Sequence, residues 1–346
     1  MDWVSILLWS LAILVGLFIL FWIVLYLHVR INLLPNLFRI FEDPPLFNAA
    51  KGDPVNDAED VTITTEDGLN LKGCYLKANT EQRLGVILFG VEFRSNRWSC
   101  TLYTQFLRDA GFDVFSFDYR NQGESDQQQD YQPLQWVTDY EIRDYRAAIQ
   151  YLKTRSDADP TGIGFFGISK GGSAGLMAAA EDAYVRCLVT DGIFATHTTM
   201  LPYMQRWITI YSRFRWLQKV LPRWYYMMFA KIALKVLAKR RNCHFPKLEE
   251  AIPKVSPRPL FMIHGQRDNY IKPEMAETLF KLARDPKELW IVPKAKHNQA
   301  FHVAHEEYAE RVQNFFQNHL TPTELPISTQ GTIKERSPVS PMVADT

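Results

Sequence analysis

Residues 162–175 read Gly162-Ile-Gly-Phe-Phe-Gly-Ile-Ser-Lys-Gly-Gly-Ser-Ala-Gly175, an apolar run that ends in a cluster of small residues. The run predicts a buried strand, and the small residues after it predict the start of a closely packed helix. Between the two, Gly167-Ile168-Ser169-Lys170-Gly171 fits G-x-S-x-G. In that pattern the glycines permit a tight strand-to-helix turn that holds a strained serine up to a substrate. The bare pattern is common by chance. Its place between a predicted strand and a predicted helix makes Ser169 a candidate nucleophile in preference to an ordinary turn serine.

A serine hydroxyl is a poor nucleophile without a base, so the pattern calls for a carboxylate and then a histidine later in the chain. Asp268 follows the apolar segment Pro259–Gly265, and His297 follows the next one, Glu288–Val292, through the loop Pro293-Lys-Ala-Lys296. A carboxylate there would fix the imidazole tautomer and stabilise the imidazolium formed as Ser169 gives up its proton. The competing readings are a helix cap for Asp268 ahead of Pro273 and a plain loop residue for His297. An oxyanion hole needs two N–H donors, one from the residue after the nucleophile and one from the loop after an early strand. These are Lys170 and Val91. The Lys170 side chain reads as a solvated lysine or, less readily, as a contact for an anionic substrate group. His264 lies on a strand and is expected to support the acid loop. His302 and His305 form no zinc motif and read as an exposed pair, and nothing in the sequence calls for a metal or another cofactor.

The chain around these residues alternates short apolar segments with helical patterns, the signature of a mostly parallel sheet with helices on both faces. Strands are predicted at 85–90, 113–119, 162–168, 185–191, 259–265 and 288–292, and a hairpin at 60–77 with its turn at Asp67-Gly68. Asp139–Thr154 places Ile142, Tyr145, Ile149 and Leu152 on one helical face, and 301–320 predicts one long closing helix. The interval from Asp191 to Pro259 is too long for one crossover helix, so 193–255 is read as a helical cap inserted in an α/β domain spanning 59–320. The segment 30–58, with Pro35, Pro44, Pro45 and Pro54, predicts an irregular juxtamembrane neck. The tail 321–346, rich in Pro, Ser and Thr, is expected to be disordered.

The order GISKG, HGQRD, KHN resembles the α/β-hydrolase superfamily, in particular its esterase, lipase and thioesterase branches, over about Asp60 to Leu320. DYRNQGES at Asp118–Ser125 is similar to that superfamily's DYRGxGxS stretch. The resemblance implies an α/β-hydrolase fold with an eight-stranded sheet, and acyl-enzyme chemistry on an ester, thioester or amide. One departure is that the frequent His-Gly opening of the oxyanion loop is Phe89-Gly90 here.

The N-terminus is a different material. Trp3 to Leu27 holds no charged residue, long enough to cross a hydrocarbon core of about 30 Å, with Trp3, Trp9, Trp22 and Tyr26 towards its ends. A cleaved signal peptide would have an apolar region of about 7–15 residues and an A-x-A-like site, so residues 1–29 are read as a retained single-pass transmembrane anchor. Asp2 before the span and Arg30 and Arg39 after it place the catalytic domain on the cytoplasmic side. Four scattered cysteines without a CxxC pair exclude a zinc ribbon and a disulfide scaffold. The formal net charge of +1 gives no global reason to expect nucleic acid, yet Ile193–Lys247 carries eleven Lys and Arg and no Asp or Glu. Arg213, Arg215, Trp216, Lys219, Arg223 and Trp224, with Trp207, Tyr211, Tyr225 and Tyr226, suit an anionic lipid surface better than single-stranded nucleic acid in an anchored chain. The expected activity is serine hydrolysis of a lipid-derived acyl ester or thioester at the bilayer. A tethered serine peptidase and a non-catalytic scaffold of the same fold are the alternatives.

Overall fold

The computed structural model describes residues 2–42, 49–211 and 221–320. Its strands are β1 (Ala58–Thr64), β2 (Asn70–Leu76), β3 (Gly85–Gly90), β4 (Phe112–Phe117), β5 (Ile163–Ile168), β6 (Val185–Asp191), β7 (Leu260–Gly265) and β8 (Lys287–Val292). They form one sheet in the order β1-β2-β4-β3-β5-β6-β7-β8. β1, β2 and β4 pair antiparallel, and from β4 to β8 every pairing is parallel. β3, β4, β5 and β7 are buried at every position, as strands must be when helices cover both faces. At the edge, β1 turns Val61 and Ile63 inward and polar residues outward, and Gly68 (φ +84°) makes the turn to β2. This is the α/β-hydrolase fold that the sequence implied.

Among the described residues the α-helices, in chain order, are α1 (Trp3–His28), α2 (Leu34–Glu42), α3 (Cys100–Asp109), α4 (Asp139–Thr154), α5 (Ser169–Ala179), α6 (Thr196–Tyr211), α7 (Arg223–Arg240), α8 (Leu248–Ala251), α9 (Pro273–Leu282), α10 (Ala300–Val303) and α11 (His305–Leu320). α4 buries Ile142, Tyr145, Ile149 and Leu152, the face its periodicity predicts, and opens on a Thr138/Glu141 capping box. The closing segment differs from the expected single helix. Ala304 leaves helical geometry and divides it into α10 and α11, whose Tyr308, Val312, Phe316 and Leu320 recur every four residues against the sheet. The DYRNQGES stretch is a structural lock. Arg120, wholly buried, binds Asp144 through Nε (2.8 Å) and Nη2 (2.6 Å) and Asp67 through Nη1 (2.7 Å), while Asp118 takes the Arg97 backbone N–H at 2.7 Å.

Between β6 and β7 lie α6, α7 and α8, the helical cap. The neck is where expectation fails. It is helical through Glu42, with a π turn at Val29–Leu33 joining α1 to α2. Pro35 lacks the N–H that an α-helical ladder would use, and the wider π turn lies immediately ahead of it. The longer step of that turn also carries the buried face from Val29 to Leu34, so that Leu25, Val29, Leu34 and Phe38 share one side. That side joins a second apolar core with Trp136, Met204, Tyr225, Phe229, Ala233, Ile271 and Met275. The neck therefore folds because it has an apolar face to bury, which a count of prolines does not register. Residues 321–346, assigned as a tail, lie outside the described residues.

Candidate active site

Each site residue sits at the C-terminal end of a strand, where the sheet opens and loops are free to vary. Ser169 is the first residue of α5 directly after β5, and its φ of +50° is a left-handed conformation that costs an L-residue energy. The turn is held by contact on its small residues. A Cβ on Gly171 would fall 2.2 Å from the Val91 carbonyl oxygen, so the ends of β3 and β5 approach as closely as backbone allows. This is why the motif needs glycine there, and it brings the Val91 backbone against Gly171, two residues past the nucleophile.

Ser169 Oγ lies 3.0 Å from His297 Nε2, and His297 Nδ1 lies 2.6 Å from Asp268 Oδ2. Asp268 is buried, and its Oδ1 accepts the N–H groups of Tyr270 and Ile271, both at 2.8 Å. A carboxylate only accepts, so Nδ1 of the imidazole carries the proton and Nε2 presents its lone pair to the Ser169 hydroxyl. His264 Nε2 is 2.8 Å from the Ile271 carbonyl and 3.4 Å from Asp268, so it braces the acid loop as expected. Asp268 does not cap α9, whose N-cap is Lys272.

Lys170 corrects both readings of its side chain. It is buried, with Nζ on the Leu134 carbonyl (2.6 Å) and on Glu141 Oε1 (2.8 Å), and 5.1 Å from the centre of the Phe93 ring. Glu141 also accepts the Tyr131 hydroxyl at 2.5 Å. Burial pushes Glu141 up, but Lys170, Tyr131 and Thr138 together hold it below its ordinary value. The lysine therefore pins the start of α5 to α4 and to the loop at Leu134. No sequence signal distinguishes such a lysine from a solvated one, because its partner lies 29 residues away.

Tyr270, which sequence reading missed, places its ring 5.1 Å from the His297 ring, and its backbone carbonyl takes the Tyr203 hydroxyl at 3.1 Å. Tyr203 and Tyr270 both pack on the second apolar core, so that core reaches the histidine. Of the cap residues named from sequence, Arg223 and Trp224 begin α7 and are exposed, with Trp224 5.4 Å from the Trp22 ring of α1. Tyr225 and Tyr226 do not face outward as their basic surroundings suggested, since both are buried in the cap core. Arg213, Arg215, Trp216 and Lys219 lie outside the described residues, as do the side chains of Trp207 and Tyr211. His302 and His305 are exposed and edge onto the Phe301 ring. Among the described residues no cluster of His, Cys, Asp and Glu is placed to hold a metal ion, and the four cysteines are buried and form no disulfide.

Comparison with known proteins adds family evidence to this geometry. A profile of the prolyl oligopeptidase family matches residues 98–323. The protein named "Uncharacterized protein YfhR" from Escherichia coli O157:H7 is 27% identical over 271 residues, covering 77% of this chain and 82% of that one. Among solved structures, the esterase Pf2001 of Pyrococcus furiosus superposes with a TM-score of 0.59 at 23% identity, covering 81% of this chain and 98% of that chain. The hypothetical protein PA2218 of Pseudomonas aeruginosa does so at 0.56 and 22%, covering 80% and 99%.

Proposed function

Because the chain belongs to the prolyl oligopeptidase family and is a serine hydrolase of α/β-hydrolase fold, we propose that it cleaves a lipid-derived acyl ester or thioester at a membrane through the triad Ser169, His297 and Asp268. The observation that carries the reading is the continuous relay of 3.0 Å and 2.6 Å from hydroxyl to imidazole to buried carboxylate. Ser169 Oγ attacks the acyl carbon while His297 Nε2 takes its proton, and Asp268 stabilises the imidazolium. The charge on the carbonyl oxygen develops next to the backbone N–H groups of Lys170 and Val91. As the tetrahedral species collapses, the imidazolium returns the proton to the departing alcohol or thiol, leaving an acyl-Ser169. Water, deprotonated by the same histidine, then releases the acid and restores the serine.

The membrane part of the reading rests on α1. Its 26 residues carry no charged side chain and are exposed except at Leu25, which is buried, and at Ser5, Trp22 and Tyr26, which are half-buried, and at 1.5 Å per residue they reach about 39 Å, beyond the roughly 30 Å of a hydrocarbon core. An apolar acyl group suits the site because the second core, built partly from the anchor's end, adjoins Tyr270 and His297. A serine peptidase is the second reading, favoured by the family assignment, since triad and oxyanion donors serve amides as well as esters.

The test is turnover by the detergent-solubilised full chain on long-chain acyl esters, acyl thioesters and peptide amides, with Ser169→Ala beside it. Ester or thioester cleavage at least tenfold faster than amide cleavage, and lost in Ser169→Ala, is expected. Preferential amide cleavage would replace the first reading with the second.

A further inference from the structure

Glu92 is buried at the end of β3, next to the oxyanion residue Val91, and the chemistry above makes no use of it. Both of its carboxylate oxygens are engaged. Oε1 accepts the backbone N–H of Ala50 at 2.8 Å, and Oε2 accepts the Asn298 side-chain amide at 2.5 Å. Asn298 follows His297 directly and is held at φ +54°, so the amide hangs from the turn that presents the imidazole. Ala50 belongs to the stretch that leads from the neck into the domain. That stretch is fastened again to the oxyanion loop, where Asn96 pairs with Gly52 at 3.0 and 2.9 Å and the Ser95 hydroxyl donates to the Ala50 carbonyl.

A single carboxylate thus ties three segments that meet nowhere in the sequence: the chain leaving the neck, the loop after Val91 and the loop of His297. We propose that Glu92 is a positioning residue, holding the Val91 N–H and the His297 imidazole in register and laying a negative charge beside that imidazole. The proposal rests on the triad reading. A buried carboxylate with only N–H donors on its oxygens is an expensive brick if all it does is hold loops together, because an amide or hydroxyl accepts the same bonds without charge. Its charge has a use where an imidazolium forms and vanishes in every cycle. Burial raises the Glu92 carboxyl above its ordinary value, and the Ala50 N–H, the Asn298 amide and the His297 charge offset only part of that rise.

The other groups around His297 are Asp268, His264 behind that acid, the Tyr270 ring, and Asp191 at the end of β6. Glu92 faces, besides these loops, Tyr103 of α3 and Asp191. Asp268 holds one ring nitrogen by contact, and Glu92 reaches the histidine loop from the opposite strand of the cleft, so the two carboxylates are not interchangeable.

Two variants separate position from charge, each assayed in the full chain on a short soluble ester. Asn298→Ala cuts the tie and keeps the charge. It should lower kcat about 10- to 100-fold, with little change in KM and no movement of the acid limb of the pH profile. Glu92→Gln keeps an acceptor for Ala50 and removes the charge. It should lower kcat and move the acid limb to lower pH by about half a unit to one unit, because the imidazolium loses a stabilising anion. Wild-type kcat in Asn298→Ala, or an unmoved acid limb in a folded Glu92→Gln, would overturn the proposal. Should Glu92→Gln fail to fold, the kcat of Asn298→Ala decides alone. Labelling by a fluorophosphonate that survives Ser169→Ala would mark failure of the triad reading instead.

Discussion

Ser169 is strained at φ +50° while its hydroxyl is held 3.0 Å from His297 Nε2, and such strain, of order 1–3 kcal/mol, persists only where the surroundings overdetermine it. If that strain serves nucleophilic attack, Ser169→Ala abolishes fluorophosphonate labelling, and Asp268→Asn lowers kcat by about 10⁴-fold without unfolding the chain, because the imidazole loses its tautomer. Normal turnover by Asp268→Asn on a short ester would remove the acid from the mechanism. The buried pair Lys170 and Glu141 makes a stability prediction. Lys170→Met leaves Glu141 without its cation and should cost about 3–5 kcal/mol, read as a lower denaturant midpoint. A solvated lysine would cost almost nothing. Asp191 supplies a pH dependence. Burial above all pushes its carboxyl up to about 7, with the Tyr308 hydroxyl on Oδ2 at 3.0 Å. Unfolded, the same group releases its proton near 4, so between about pH 4 and 7 the folded state keeps a proton that the unfolded state has lost. Stability from this group therefore falls as pH rises through that window and stays low above it. Asp191→Asn should leave the thermal midpoint near pH 4 unchanged and raise it by a few degrees at pH 8; parallel stability profiles for the two proteins would contradict this.

At the level of elements, α1, α2 and the cap helices pack together as one unit. Trp22 packs on Trp224 and Tyr225 at 5.4 and 5.3 Å, and Tyr26 on Phe229 at 5.7 Å. Arg241 of the cap pairs with Glu42 of the neck at 3.2 Å, and Arg240 lies over the Phe38 ring. Each fully buried Leu, Val or Phe side chain contributes about 1.5–3 kcal/mol, so removing the neck strips the cap of several such contributions. A chain beginning at Phe21 should keep the cap folded, while one beginning at Ala49 should show a lower thermal midpoint and faster proteolysis within α6 and α7. Equal midpoints for the two truncations would mean that the packing is dispensable.

For the whole molecule, the proposed membrane function makes the cap and α1 together responsible for how the cleft meets the bilayer. α1 runs 19 residues from Trp3 to Trp22, about 28 Å at 1.5 Å per residue, so on the proposed anchoring the Trp22/Trp224 contact would lie near one membrane face. Each cation near an anionic surface adds about 1 kcal/mol. In the chain beginning at Phe21, replacing Arg213, Arg215, Lys219 and Arg223 with Gln should weaken binding to anionic vesicles and slow hydrolysis of vesicle-borne acyl substrate. Turnover of a short soluble ester should change little, and high salt should mimic the replacement by screening. Equal vesicle binding at low salt would leave the basic cap as a solvated face. Cytoplasmic orientation, the proposal drawn from the charges flanking α1, predicts that external protease leaves 60–320 intact in whole cells; digestion there would reverse it.

The strand run, the G-x-S-x-G turn, the later Asp and His, and the long uncharged N-terminus are local patterns, and each could be read because its physics is local. Apolar runs must be buried, glycines must stand where backbones touch, and a charge-free span of this length suits lipid. The meeting of Ser169, Asp268 and His297 was legible as an order along the chain because a parallel sheet delivers successive strand ends to one edge. What the amino acids did not disclose was partnership over distance. Lys170 looked solvated because Glu141, which neutralises it, sits on another helix. Tyr225 and Tyr226 looked interfacial because the anchor and neck that cover them are nearly two hundred residues away. Glu92 carried no signal at all, since a carboxylate acquires its role only when Ala50 and Asn298 converge on it. Burial and charge pairing depend on which segments pack together, and tertiary structure alone decides that.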